Sequence, residues 1–292
     1  MVESRQSGDP PLVDVTYAPQ RGHRGLPVEV IDRSSILARD APRTSNHRQR
    51  VGFHLLMVCT AGRGTHVVDF EAIDMSPGAC LRVHPGQVQR FVPVPVFDAH
   101  VVVWPTDTHP ADPTAPPWYP GCGAATSWHL AGEVRSTILS GIEELRVEQG
   151  RFDGGARRRA LMTSLLHTLL LRLAIEVPDT TPDTGQLPEA YLRLRRRIEQ
   201  RLHERPSVTQ LAQDLGYSAR TLDRACRQAT GRTAKQVLDE RVGLEIRRLL
   251  THTDRPVSQI AVDLGFDDPS NFSKFVRRQL GALPTQVRDR GE

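Results

Sequence analysis

One stretch of ten residues occurs twice in this chain of 292 and constrains it more than any other feature. Val208 to Tyr217 reads VTQLAQDLGY and Val257 to Phe266 reads VSQIAVDLGF, identical at six of ten positions; Thr/Ser, Leu/Ile and Tyr/Phe account for three of the other four. With one residue inserted in the second copy, Leu222 falls on Phe272, Arg227 on Arg277, Gly231 on Gly281, and Gln236-Val237 on Gln286-Val287. A repeat at fixed period marks a structural unit of roughly thirty residues used twice.

Each copy carries its own start and stop signals. Ser207 is a good N-cap, and Gln210, three residues on, can return the bond as a capping box. Leu211, Ala212 and Leu215 supply a buried face, and Gly216 stops the helix because glycine tolerates a left-handed backbone. Tyr217 can fill the corner, and Ser218 caps a second helix running to about Gln228. In the second copy Leu264-Gly265-Phe266 makes the turn, Asp268 caps, and Pro269 takes the first helical position, where its missing N–H costs nothing. A short helix, a glycine turn and a second helix form a helix-turn-helix pattern, over about 207–228 and 257–280.

The second helices carry chemistry on their outer faces. Leu222, Ala225 and Cys226 point inward in the first, leaving Arg220, Thr221, Asp223, Arg224 and Arg227 outward. Phe272, Phe275 and Val276 point inward in the second, leaving Ser270, Asn271, Ser273, Lys274, Arg277 and Arg278 outward. Arginine reads guanine edges, asparagine reads adenine, and Ser or Thr serves bases or phosphates. A lone helix with such a face would be read as merely solvated. Two matching copies on a basic half reverse that reading: residues 187–292 hold 20 Lys and Arg against 14 Asp and Glu, a net of +6, whereas residues 1–186 net −2 within a total of +4. Between the copies, Thr233 to about Leu250 is apolar at helical spacing and free of proline. About eighteen helical residues span roughly 27 Å, close to the ~34 Å between successive major-groove faces of B-DNA.

Residues from about Glu189 to Arg288 resemble the DNA-binding domain of AraC/XylS-type transcriptional regulators, above all in IAVDLGFDDPSNFSKFVRRQLGALPTQVR at Ile260 to Arg288. The resemblance implies seven helices in two helix-turn-helix subdomains joined by a long helix, with the third and sixth helices in the major groove. By position it makes Arg220, Asp223 and Arg224, and Ser270, Asn271 and Lys274, the base-reading candidates. The sequence departs from the family pattern at Lys274, at Val276-Arg277 and at Leu283, where a capping Thr or Ser is usual.

The N-terminal half reads differently. From about Val28 to Val103 short apolar runs (VEVI, FHLLMVC, THVVDF, CLRVH, VQRFV, AHVVVW) alternate with Gly- and Pro-containing turns, which predicts an antiparallel sandwich or barrel. Two amphipathic helices follow, about 131–149 with Val134, Ile138, Ile142 and Leu145 on one stripe, and 156–176 with a wider stripe of Leu161, Leu165, Leu166, Leu169, Leu170 and Leu173. That wide stripe fits either a helix covering the sheet or one that also meets its counterpart in a second subunit. VPDTTPDTGQLP, 177–188, reads as a linker, and residues 1–26 as a mobile tail. The expected fold is thus α+β: a β domain with two helices over 27–176 and an all-α domain over 189–292.

GRGTHVVDF and SPGACLRVHPGQVQRF are similar to the cupin-like sensor domain often joined to this DNA-binding domain. This implies a small β-barrel able to enclose one ligand, with His54, His84, Gln89 and Trp104 as candidate lining. Metal-holding cupins need an H-x-H pair and a late histidine; there is no H-x-H here, and Gln89 stands where the late histidine would fall, so neither a metal nor a cofactor is expected. His47, His54, His66, His84 and His100 read first as hydrogen-bonded or exposed residues, and no nucleophile motif, phosphate loop or carboxylate pair stands out. Cys59, Cys80, Cys122 and Cys226, far apart and without a CxxC pair, read as small buried hydrophobes in a reducing compartment. No run of eighteen apolar residues and no secretion signal is present, which makes a cytoplasmic protein the expectation.

Together these features predict a non-enzymatic, operator-reading transcription regulator with promoter DNA, a small-molecule effector, a second copy of the chain and RNA polymerase as partners. A cupin-like enzyme carrying a DNA-binding domain, and a regulator whose barrel serves only to dimerise, stand as alternatives.

Overall fold

A computed structural model describes residues 12–19, 25–32, 48–92, 97–108, 127–176 and 188–289. The described residues up to Glu176 form one compact unit and those from Pro188 another.

In the first unit the described strands are β1 (Val13–Val15), β2 (Glu29–Ile31), β3 (Gln49–Val51), β4 (His54–Gly62), β5 (Gly64–Val68), β6 (Glu71–Met75), β7 (Ala79–Val83), β8 (Val88–Val92), β9 (Phe97–Trp104) and β10 (Ser127–His129). They form two five-stranded sheets, ordered β1-β3-β8-β5-β6 and β10-β7-β4-β9-β2. Val51, Val68 and Ile73 of the first sheet meet Leu55, Met57, Leu81, Val83 and Val101 of the second in one apolar layer. Leu56, Val58, Cys80 and Val102, on the opposite face of the second sheet, are fully buried as well. Burial on both faces explains why LLMVC and VVVW run on without polar alternation.

Helix α1 (Gly132–Gly150) is anchored to that second sheet. The Gln149 amide clasps the edge strand β2, its Oε1 accepting from Val30 N at 2.6 Å and its Nε2 donating to Val30 O at 3.2 Å. This satisfies an edge that would otherwise be open to another chain. Helix α2 (Ala156–Glu176) buries Met162, Leu166, Leu169, Leu170 and Leu173. At Gly141 of α1, Leu169 approaches to 3.2 Å of where a Cβ would stand.

Three expectations are corrected here. The sheets do not close into a barrel but remain two separate five-stranded sheets. The pairing is not wholly antiparallel, since β1 runs parallel to β3, so the expected tail 1–26 contains a strand at Val13–Val15. Leu161, expected on the buried stripe, is 46% exposed. The physical reason for the first two is length: β1, β3 and β10 have three residues each, too few to display an alternation. Residues 1–11, the linker 177–187, His47 and Cys122 lie outside the described residues.

The second unit contains α3 (Glu189–Arg201), a 3-10 turn (Leu202–Glu204), α4 (Val208–Leu215), α5 (Ala219–Thr230), α6 (Ala234–His252), α7 (Val257–Asp263), α8 (Pro269–Leu280) and α9 (Pro284–Asp289). These are the seven helices the resemblance implies. Tyr191, Leu194, Leu211, Leu222, Ile246, Ile260, Phe272 and Val287 belong to one core. The capping box at Ser207 and Gln210 is present, with Gln210 N donating to Ser207 Oγ at 3.2 Å and Ser207 N to Gln210 Oε1 at 2.8 Å. Ser218 accepts from Thr221 N at 3.0 Å, and Asp268 from Ser270 N at 2.7 Å. Where Leu283 lacks a capping hydroxyl, Gln286 Oε1 accepts from Leu283 N at 3.0 Å, keeping half of a capping box. Among the described residues no helix is long and apolar enough to cross a membrane.

Candidate nucleic-acid interface

Helices α5 and α8 are presented by equivalent turns. Gly216 and Gly265 both sit at φ +70, a left-handed conformation that glycine adopts without a Cβ penalty. Leu222, Ala225, Cys226 and Ala229 anchor α5 from below, and Phe272, Phe275 and Val276 anchor α8. Burial holds the Cys226 thiol up at about 12, and Cys59, Cys80 and Cys226 are free and buried as the sequence suggested.

The outer faces differ from the rest of the unit in one decisive respect. Arg220, Arg224 and Arg227 on α5, and Lys274 and Arg277 on α8, are exposed. None of their side chains has a hydrogen bond, ion pair or ring contact among the described residues. Cations elsewhere in the unit are engaged: Arg193 with Glu189 at 2.7 Å, Arg201 with Asp214 at 2.5 Å, Arg232 with Glu240 at 2.6 Å and Arg255 with Asp263 at 3.3 Å. Uncommitted positive charge is therefore concentrated on the two second helices. Ser270 and Asn271 are exposed beside it at the start of α8, whereas Ser273 is half-buried. Such a face can offer bidentate donors to base edges and point charges to phosphates.

Two predicted site residues have structural duties that the sequence did not show. Asp223 Oδ1 accepts from Ala234 N, the first residue of α6, at 2.8 Å. The carboxylate thus ties α5 to the start of the connecting helix, where a negative charge is also favourable to the helix dipole. The Thr221 hydroxyl lies 2.8 Å from Ser218 Oγ, inside the cap of its own helix. Arg278, also outward on α8, is held by Asp239 at 3.3 Å with its guanidinium 5.3 Å from the Phe275 ring centre. Asp239 takes Lys235 as a second partner. No short-range sequence signal marks the Asp223–Ala234 and Arg278–Asp239 links, because each joins two helices.

The connecting helix α6 has 19 residues, about 28 Å at 1.5 Å per residue. It is buried on nearly every side. Its Arg241 bonds Glu199 of α3 at 2.8 Å and Glu245 at 3.2 Å, so the charges buried with it are paired.

The four ligand-lining candidates do not gather in one place. His54 stacks on Trp104 at 5.3 Å and meets His84 edge-on at 5.7 Å. His54 pairs with Trp104 across β4 and β9, on the face of the second sheet turned away from the inter-sheet core. Gln89 belongs to the other sheet, where its Oε1 lies 3.0 Å from His66 Nε2 and its Nε2 donates to Gln49 Oε1 at 3.2 Å. His66 and Gln89 are buried, and burial lowers His66 to about 4 against the opposing effect of the Gln89 bond. The sequence reading left His66 among hydrogen-bonded or exposed histidines; it is the buried partner of Gln89, and the alternation that places it beside Val68 on the inner face was available in THVVDF.

Residues 211–290 match the model of a family described as a helix-turn-helix domain. A stretch of 160 residues, 55% of this chain, is 35% identical to 55% of an HTH-type transcriptional activator RhaS from Escherichia fergusonii. A stretch of 163 residues, again 55% of this chain, is 31% identical to 56% of the RhaS activator of Salmonella schwarzengrund. The chain spans about half the length of the curated relatives it matches. Among solved structures, ToxT from Vibrio cholerae overlaps 90% of this chain and 96% of its own at 8% identity and a TM-score of 0.40. The C-terminal domain of AraT, a response regulator from Geobacillus stearothermophilus, overlaps 36% of this chain and 88% of its own at 24% identity and a TM-score of 0.35. Likeness at these TM-scores is too slight to carry an argument about the fold.

Proposed function

We propose that this chain is an AraC-type transcription regulator, a reading supported by the helix-turn-helix family match over residues 211–290, and that it binds promoter DNA sequence-specifically and regulates transcription without catalysing a reaction. Helices α5 and α8 enter two adjacent major-groove segments on one side of the duplex. Arg220, Arg224, Ser270, Asn271 and Lys274 contact base edges, while Arg227, Arg277, Thr221 and Ser273 hold phosphates. Asp223 belongs to the reading face by position and to the scaffold by its bond to Ala234 N. The observation that carries this reading is the collection of uncommitted cations on those two helices and nowhere else in the described C-terminal unit.

The N-terminal unit serves control, by a small-molecule effector or a partner, with a second copy of the chain and RNA polymerase as further partners in the cytoplasm. The buried pair His66 and Gln89, bonded on to half-buried Gln49, supports a polar ligand between the sheets, since buried polar groups must be paired and a ligand could take one of these places. The test is a selection from a random duplex library with the purified chain. Recovery of a defined motif that the Arg224→Ala and Asn271→Ala chains recognise less well supports the reading; recovery of no motif above background sinks it.

A further inference from the structure

We propose that Arg205 is a positioning residue that sets the angle between the two reading helices, by joining the corner before the first helix-turn-helix unit to the turn of the second. Arg205 is one of two described non-glycine residues at positive φ, +49. A side chain in that region is disfavoured, so the contacts that Arg205 makes must offset a backbone cost. Its guanidinium lies 3.5 Å above the centre of the Phe266 ring and 5.6 Å from that of Phe275, which places it on the turn and the reading helix of the second unit. The backbones close on each other at the same place. A Cβ on Gly265 would stand 3.1 Å from Arg205 Cβ and 3.1 Å from His203 O, whereas one on Gly216, the equivalent glycine of the first copy, would meet nothing within 4 Å. The two copies share a turn, but only the second turn is docked.

Beside this seam runs an open groove of about 490 Å³, lined by Arg205, Ser207, Asp223, Lys235, Asp239 and Phe275. Its walls are joined mainly through α6: Asp223 bonds the start of that helix, and Asp239 of that helix bonds Arg278. Across this groove Arg205 bridges the first unit's corner directly to Phe266 and Phe275 of the second unit. Its role in spacing rests on the DNA-binding reading above; its role as a lock does not.

Spin labels on the full chain at Thr209→Cys and Val262→Cys, one exposed site in each unit, measure the lock without DNA. The parent should give one narrow distance distribution. Arg205→Gly, which suits the backbone at φ +49 and so keeps the helical circular dichroism, should broaden it several-fold; Arg205→Lys, which keeps a cation over the ring, should broaden it less. On the duplex selected by the unlabelled parent, Arg205→Gly should lose about tenfold in affinity and lose its preference for the native half-site spacing over spacings altered by one base pair. An unchanged distance distribution in Arg205→Gly overturns the proposal, and so does a broadened one with spacing preference intact. If the distances respond but the parent selects no duplex, the lock stands and the DNA-binding reading fails.

Discussion

Single side chains divide between those that read and those that hold. Arg224 is exposed without a partner among the described residues, so Arg224→Ala should cost about 1–3 kcal/mol of binding and relax base choice at one position, as a titration of single-base variants of the selected duplex would show. Arg227→Ala should instead weaken all sequences alike and lower the slope of log affinity against log salt by about one. Asp223 belongs to the second class. Because its carboxylate accepts from Ala234 N, Asp223→Ala should lower the stability of the helical unit by about 1 kcal/mol in urea unfolding without DNA; an unchanged midpoint would return Asp223 to the readers. His66 gives a pH prediction. Its folded value, about 4, lies below the ordinary 6.5 because burial disfavours the charged form. Above pH 6.5 it is neutral folded and unfolded, and contributes no pH dependence. As pH falls from 6.5 to about 4 the unfolded chain takes up a proton that the folded chain refuses, and stability is lost, by at most about 3 kcal/mol. Melting of the chain across that window should show this loss as a falling midpoint, and His66→Gln should remove the part due to His66.

At the scale of elements, the two glycine turns separate local from long-range causes. Both glycines sit at φ +70, so alanine at either meets the left-handed penalty, about 1 kcal/mol. Only Gly265 also has backbone at 3.1 Å from the position of a Cβ. Gly265→Ala should therefore destabilise the helical unit by about 2 kcal/mol or more and Gly216→Ala by about half that, a difference that urea midpoints resolve; equal effects would mean that the seam yields freely. The local part was readable in advance: Ser207 with Gln210, Ser218, and Asp268 with Pro269 each announce a helix start through short-range chemistry, and each makes the bond its position suggests. The docking of one turn against Arg205 was not, since its partners are some sixty residues apart and obey no period.

For the whole molecule, the same division decides what could be read from the residues. The boundaries of α1, α2 and α8 follow from spacing to within a residue or two, because amphipathic stripes such as Ile138, Ile142 and Leu145 extend over several turns. The closed barrel did not follow. Run-on apolar strands such as LLMVC show that both faces are covered, yet they do not show whether edge strands pair, and in this protein β2 is closed off by Gln149 instead. The ligand-lining candidates separate for a related reason: His54, His84 and Trp104 lie together while Gln89 stands on the other sheet, and residue type alone does not say which sheet a buried residue belongs to. The exposed faces of α5 and α8 were largely visible, since exposed positions on a capped helix follow from helical geometry. The central claim is that α5 and α8 read two unlike half-sites in adjacent turns of one duplex face. Chemical interference mapping of the selected duplex with the Arg224→Ala and Asn271→Ala chains tests it most directly. The account predicts two contact segments about 10 base pairs apart, with Arg224→Ala erasing contacts in one and Asn271→Ala in the other. A single segment, or loss of the same contacts in both variants, would contradict it.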